Sequence, residues 1–197
     1  MEAVMLPLLI GIALSATCGF RVFVPLLAVN IGARALNSDG APRLELADGF
    51  AWMGSDVALL IFLVAAIVEI GGYYIPWIDN LLDSIASPAA IAAGTVITAS
   101  FITGMEPWLQ WVLGLIAGGG AAGAVQATTV VTRASSTVTT GGLGNPIVAT
   151  VETTGAFLGS ALGILAAPFA VALFVLLLGS GLWIWWRRRK RKLAEAA

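Results

Sequence analysis

The sequence predicts an all-α integral membrane protein. Of its 197 residues, 59% are hydrophobic and 11% are charged, whereas a soluble domain has about 45–50% apolar and about 25% charged residues. Six of the ten basic residues lie in the run Arg187–Lys192, so the middle of the chain carries few charges. Several uncharged stretches reach the length of about 20 residues that a membrane-crossing helix needs. This composition excludes a soluble fold and gives no indication of nucleic-acid binding.

About six hydrophobic helical elements are predicted, one after another. They cover residues 4–31, 53–72, 88–104, 107–129, 147–166 and 168–186. The first contains Arg21 and Pro25, so it is either one long tilted helix or a broken one. Few polar residues separate the last two, and a single long kinked helix is the alternative there. Residues 34–52 form the one long hydrophilic loop, which we expect outside the bilayer.

An interfacial amphipathic helix is predicted near residues 77–86. One face of this segment carries apolar side chains, the other carries polar ones, and aromatic residues precede it, as is typical of the membrane interface. The apolar residues are Ile78, Leu81, Leu82 and Ile85, the polar ones are Asp79, Asp83 and Ser84, and the aromatic ones are Tyr73, Tyr74 and Trp77.

The basic run also predicts the orientation. Arg187–Lys192 directly follows a tryptophan-rich helix end, so the positive-inside rule places the tail, residues 187–197, in the cytoplasm. Residues 1–186 then form a single transmembrane domain. If all six elements cross, the N-terminus is cytoplasmic too, and a re-entrant first or fourth element would change that conclusion. Membrane lipids are expected partners, because each basic residue near an anionic surface contributes about 1 kcal/mol of attraction.

Internal matches in the same order predict two inverted repeats, residues 1–104 and 107–186. Gly11 precedes Arg21 by ten residues, as Gly123 precedes Arg133, and Thr17 corresponds to Thr129 between them. Two further matches pair residues 66–72 with 149–155 and residues 87–90 with 167–170. Three crossings in each half would give the halves opposite orientations, an arrangement found in many secondary transporters.

Four ionisable residues lie inside hydrophobic segments: Arg21, Glu69, Arg133 and Glu152. A charge in the bilayer core costs at least about 2.5–3.5 kcal/mol, so such groups usually face one another or a cavity. We expect both arginines within ion-pair reach of a glutamate, most symmetrically Arg21 with Glu152 and Arg133 with Glu69. These residues can be structural ion pairs, interfacial arginines that snorkel, or a site for an anion, headgroup or proton. The candidate cavity-lining residues are Thr17, Gln126, Thr129 and Asn145.

No enzyme, cofactor or metal site is predicted. The chain has no histidine and one cysteine, which excludes the usual zinc, copper and haem ligand sets. Neither a nucleophile–base arrangement nor a phosphate-binding loop is visible. The N-terminus carries Glu2 and lacks the basic residues of a signal peptide.

Three stretches resemble one known family. They are SATCGFRVFVPLLAVNIGA (15–33), VEIGGYYIPWIDNLLDSIASP (68–88) and GLGNPIVATVETTGAFLGSALGILAAP (142–168). The chain is similar over nearly its whole length, apart from the acidic loop and the basic tail, to the DUF4126 family of small bacterial and plastid-type membrane proteins. The resemblance supports the predicted spans and implies a bacterial inner membrane. It supplies no catalytic or binding residues.

Two functions remain open. The first is a transporter or channel for an anionic or headgroup-like solute, with a charged site between the repeat halves. The alternative is a non-catalytic subunit, scaffold or assembly factor, acting as a homo-oligomer or in a larger membrane complex. Four intramembrane charges favour the first, because a scaffold has little reason to retain them unless they are paired.

Overall fold

A computed structural model describes residues 2–36, 44–75 and 78–195 of the chain, and this described part is helical as predicted. The α-helices are α1 (Glu2–Cys18), α2 (Phe23–Ala35), α3 (Asp56–Gly72), α4 (Ile78–Ser100), α5 (Pro107–Leu113), α6 (Gly120–Thr140), α7 (Asn145–Leu165) and α8 (Ala167–Glu195). A short 3-10 helix, Asp48–Gly54, precedes α3, and a π-helical turn, Gly114–Gly119, joins α5 to α6.

The first hydrophobic element is broken into two helices, one of the alternatives left open by its sequence. The break follows Gly19, where α6 approaches so closely that a Cβ would lie 2.6 Å from the backbone nitrogen of Gln126. Pro25 lies in the first turn of α2, where a missing N–H is tolerated. Ser15 contacts α4 near the break, while Asn30 contacts the start of α3. The helix α1 runs antiparallel to α7, since Gly163 lies beside Leu14 and Gly159 beside Thr17. The helix α2 runs parallel to α7, since Gly32 lies beside Ile164 and Val24 lines a groove with Phe157. The helices α1 and α2 therefore form a hairpin with Arg21 at its tip.

Residues 44–54 cover the open end of this hairpin. Leu44, Phe50 and Met53 are buried, and the Asn30 amide donates to the carbonyl oxygens of Met53 (2.6 Å) and Ser55 (3.0 Å). This end of the bundle is called the loop face below. The predicted external loop therefore packs partly onto the bundle, although its residues 37–43 lie outside the described part of the chain.

The helix α4 packs tightly against the continuous helical segment Pro107–Thr140. An ideal Cβ on Gly114 would lie 2.7 Å from the carbonyl oxygen of Thr95, and a Cβ on Gly118 would meet the carbonyl oxygen of Gly94. Small residues allow such approaches between membrane helices. Gly118 and Gly119 thus lie in the helix interface, whereas a Cβ on Gly120 would have no neighbouring atom within 4 Å.

The last two hydrophobic elements are separate helices. The break falls at Ala166, whose backbone is not helical (φ −149°, ψ 52°). The helix α8 then returns along α7 and α1, since Ala170 and Leu177 line one cavity together with Leu162 and Gly155. It continues to Glu195, and the Arg187 guanidinium lies 4.1 Å from the Trp183 ring centroid. The end of the bundle toward which α8 runs is called the tail face.

Three helical segments are long and apolar enough to cross a membrane: Leu81–Ser100, Pro107–Thr140 and Asn145–Leu165. A fourth results if the bent pair Asp48–Gly54 and Asp56–Gly72 counts as one span. Six complete crossings are therefore not confirmed. The predicted interfacial helix is not a separate element, because residues 78–86 form the first turns of α4. Trp77 lies outside the described residues.

The inverted repeat is not confirmed either. The helix α1 runs antiparallel to α4, since Ser15 contacts Gly94 while the earlier Gly11 contacts Thr98. The segment Pro107–Thr140 also runs antiparallel to α4, because successive contacts pair Thr95 with Gly119 and Ala99 with Gly114. Thus α1 and α6, which would be equivalent in the two halves, run in the same direction, whereas an inverted repeat requires opposite directions.

Candidate functional site

The charged cluster lies near the tail face, where the tip of the α1–α2 hairpin meets four other helices. Glu152 is the eighth residue of α7, so it lies about 10 Å from the start of that helix. Arg133 is seven residues from the end of α6, at a similar depth. Glu69 and Tyr73 come from the end of α3, and Asp83 comes from the start of α4. Antiparallel packing therefore gathers residues that are up to 131 positions apart.

Glu152 joins the two arginines. Its Oε2 accepts from Arg21 Nη1 (3.0 Å) and from Arg133 Nη2, and its Oε1 accepts from Arg133 Nε (3.2 Å). Arg21 is 1% exposed, Arg133 is 3% exposed and Glu152 is 4% exposed. The predicted ion pair between Arg21 and Glu152 is present. Both arginines lie deep in protein, which excludes the alternative that they snorkel to the interface.

Further hydrogen bonds hold Arg21 in place. Its Nε donates to Thr153 Oγ1 (3.1 Å), its Nη2 donates to the Ala149 carbonyl (3.0 Å), and its Nη1 also donates to the Phe20 carbonyl (2.7 Å). The side chain thus ties the hairpin tip to α7.

Glu69 has a different role from the one predicted. Its Oε1 accepts the backbone N–H of Val22 (2.7 Å) and its Oε2 accepts that of Phe23 (3.0 Å). At the start of a helix such N–H groups have no carbonyl partner within the helix. A carboxylate is favoured there by hydrogen bonding and by the helix dipole. The expected pair between Arg133 and Glu69 is wrong, because Arg133 contacts Glu152 and Asp83 instead.

Two residues of the cluster were not predicted. The Tyr73 ring contacts both guanidinium groups, with its centroid 4.1 Å from Arg21 Cζ and 4.2 Å from Arg133 Cζ. Asp83 lies 3.6 Å from Arg133 Nε and forms a hydrogen bond with the side chain of Tyr73. Both residues belong to the segment interpreted as interfacial. Helical spacing places Asp79 and Asp83 on one face, the only sequence signal that connects them to the site.

A second polar group extends the cluster toward the tail face. Asn145 Nδ2 donates to Asp79 Oδ2 (2.9 Å) and to Thr137 Oγ1 (3.1 Å). Two buried atoms nearby lack a hydrogen-bond partner among the described residues, namely Asn145 Oδ1 and Arg133 Nη1. Buried polar atoms normally have partners, so this region can accept water or a polar ligand.

The other candidate lining residues lie further inside the bundle. Thr17 Oγ1 contacts Ser160 Oγ (3.2 Å), Thr129 Oγ1 contacts the Gly19 carbonyl (3.4 Å), and Gln126 is buried. Thr17 lines an apolar cavity of about 500 Å³ between α1, α6, α7 and α8. These side chains lie at helix contacts around the hairpin tip, and no hydrogen bond among the described residues joins them to either arginine.

One described cavity reaches the margin of the cluster. Of the four cavities whose linings the structure describes, one of about 180 Å³ is lined by Glu69 and Tyr73. None of the four is lined by Arg21, Arg133 or Glu152. Among the described residues, no group of three or more cysteine and acidic side chains could hold a metal ion. Arg21, Arg133 and Glu152 are almost completely buried, and the two guanidinium groups bind the protein's own carboxylates.

Comparison with known proteins yields one family. No curated protein and no solved structure matches the chain. The sequence model described as "Domain of unknown function (DUF4126)" matches residues 8–187, which include every residue of the charged cluster. The chain therefore belongs to the DUF4126 family.

Proposed function

We propose that this protein is a small membrane transporter or channel for an anionic or headgroup-like solute, and that Arg21 and Arg133 bind the anion. The observation that carries the proposal is the convergence of two buried guanidinium groups, from different helices, at a break in a helix. Broken helices at solute sites are common in secondary transporters. Non-helical backbone at membrane depth is tolerated where it is buried in protein or lines a cavity.

The chemistry of the site favours an anion with several oxygen atoms. Guanidinium groups bind carboxylate and phosphate through paired N–H donors. The Tyr73 ring holds both guanidinium groups close to one another. Arg133 Nη1 is buried without a partner among the described residues, so it offers a further donor to a bound oxygen.

The proposed orientation follows from the basic end of α8. With Arg187–Lys192 on the cytoplasmic side of a bacterial inner membrane, the arginine site lies nearer the cytoplasm. Because α1 and α2 form a hairpin, the N-terminus would then lie on the opposite side, together with the 3-10 helix. This placement differs from the sequence-based expectation, in which six crossings put the N-terminus in the cytoplasm.

A scaffold or subunit role remains the second candidate, and a row of hydroxyl groups on α6 favours it. The exposed hydroxyl side chains of Thr128, Thr132, Ser135 and Thr139 each donate to a carbonyl of their own helix. Because each hydroxyl group already has a hydrogen-bond partner, these polar side chains can lie on the surface of the bundle. Small polar residues on membrane helices favour packing against another helix, as a homo-oligomer or larger complex requires.

Flux measurements test the proposal. The purified protein is reconstituted in liposomes, and uptake of labelled sulfate, phosphate and glycerol 3-phosphate is compared with protein-free liposomes. We expect uptake of at least one anion by the wild type, and strongly reduced uptake by Arg21→Gln and Arg133→Gln. The matched control is Arg34→Gln, because Arg34 pairs with exposed Asp56 at the loop face. Wild-type uptake at the background level for all three anions would contradict the proposal and favour the scaffold.

A further inference from the structure

We infer that Glu152 is an internal competitor for the transported anion, and that the anion enters the arginine pair only together with a proton on Glu152. This inference rests on the proposed function, since it concerns regulation of the same site. It adds a coupling ion, the proton, and names the residue that carries it.

The first argument is geometric. Both oxygens of Glu152 are engaged by the arginines, one by Arg21 and Arg133 together and the other by Arg133 alone. Two oxygens of a sulfate, phosphate or carboxylate would use the same N–H groups in the same arrangement. All three partners are almost completely buried, and the N–H groups that Glu152 occupies cannot bind both anions at once. A solute anion must therefore displace the Glu152 carboxylate.

The second argument is charge balance. The titratable and charged groups around Glu152 come from several elements. Arg21 at the hairpin tip and Arg133 from α6 bind it, and Asp83 from α4 lies near it. Glu69 and Tyr73 at the end of α3 lie near Arg21, and Asp79 from α4 lies near Asp83. Two cationic groups thus already face several carboxylates. An additional anion would leave a displaced, uncompensated carboxylate in a region of low dielectric constant, which is strongly unfavourable.

A proton removes this cost. The carboxylate of Glu152 takes up one H⁺ and becomes a neutral carboxylic acid, while the incoming anion accepts the hydrogen bonds from Arg21 and Arg133. For sulfate, two negative charges arrive at the arginine pair while the proton removes one from Glu152, so the two charges of the anion neutralise the two guanidinium groups. On release, the anion departs, Glu152 returns its proton and binds the arginines again. Proton and anion therefore move in the same direction.

The proton has a route from the tail face. Asp83 is the most exposed carboxylate in contact with the arginines, with 18% of its side chain accessible, and it contacts Arg133 and Tyr73. The buried pair Asn145 and Asp79 lies beside it, with an unpartnered acceptor on Asn145 that a water molecule can fill. Glu152 itself is 4% exposed, so protons reach it through these groups.

Binding of labelled sulfate to the purified protein in detergent tests the inference, because sulfate does not itself titrate near neutral pH. If one proton binds with each anion, the wild-type affinity falls about tenfold per pH unit as pH rises. Glu152→Gln keeps the shape of the side chain but removes the competing charge. Its affinity should be higher than that of the wild type and independent of pH. The matched control is Glu45→Gln, an exposed carboxylate at the loop face, which should keep the wild-type slope.

A second measurement needs no variant. Wild-type liposomes containing a pH-sensitive dye should acidify internally when a sulfate gradient drives uptake. Uptake without acidification, a wild-type affinity independent of pH, or an unchanged slope in Glu152→Gln would each overturn the inference. Uptake without acidification would leave the proposed transport function standing. Absence of uptake together with absence of sulfate binding would overturn the proposed function itself.

Discussion

Replacing Glu69 by alanine should destabilise the protein by about 3 kcal/mol, although no arginine among the described residues forms an ion pair with it. Its carboxylate accepts the backbone N–H groups of Val22 and Phe23 at 2.7 and 3.0 Å. A hydrogen bond to a charged group contributes about 1.5–3 kcal/mol, so two contribute about 3–6 kcal/mol. Glu69 is 7% exposed, and removing it also removes the cost of burying a charge. The lower end of the range is therefore expected, which is still a large share of a typical stability of about 5–15 kcal/mol.

Unfolding by a denaturing detergent, followed by far-UV circular dichroism in mixed micelles, measures this difference. The matched control is Asp56→Ala, since Asp56 is a carboxylate in the first turn of α3 whose pair with Arg34 is exposed. An exposed pair contributes at most about 1 kcal/mol. Glu69→Gln should lie between the wild type and Glu69→Ala, because it retains one acceptor oxygen.

Hydrogen exchange locates the effect. In Glu69→Ala, the amides of Val22 and Phe23 should exchange faster, while amides in the α4 interface near Gly94 stay protected. The reasoning is refuted if Glu69→Ala is no less stable than Asp56→Ala, or if exchange rises equally throughout the bundle.

Three further predictions concern the core and the topology. Glu152→Gln should lower stability by about 3–5 kcal/mol because it removes the carboxylate that pairs with buried Arg21 and Arg133. Adding Arg21→Gln should restore part of the loss, whereas additive losses in the thermal double-mutant cycle would argue against coupling. Gly118→Leu should abolish a monodisperse peak in gel filtration because its side chain would meet the Gly94 carbonyl, while Gly120→Leu should elute normally. A reporter that is active only in the cytoplasm should be active when it is fused to the C-terminal residue. Activity of a periplasm-dependent reporter at that residue would contradict the proposed orientation.

The pairing of Arg21 with Glu152 could be predicted from sequence because an ionisable group in an apolar segment needs a counter-charge. The role of Glu69 could not. It depends on where the first hydrophobic element breaks, and a stretch of about 28 residues fits both a tilted helix and a hairpin. Only the hairpin creates free N–H groups at Val22 and Phe23, and only their position selects Glu69 as the acceptor.

Asp83 and Tyr73 were missed for a related reason. An amphipathic segment followed by an apolar one predicts equally an interfacial helix and the polar start of a longer span. The continuous α4 turns Asp83 toward Arg133. The repeat predicted from the internal matches is not confirmed, because an arginine and a glutamate in each half reflect shared chemistry without giving the direction in which each helix runs.

The position of Arg21 also constrains how the protein is made. Its partner Glu152 follows 131 residues later, so the hairpin tip carries an uncompensated charge throughout most of synthesis. By contrast, α4 and the segment Pro107–Thr140 are adjacent in sequence and can associate as soon as both have left the ribosome. We therefore expect the hairpin tip to reach its final depth only after α7 has been synthesised. Until α7 emerges, the insertion machinery or the membrane surface has to accommodate it.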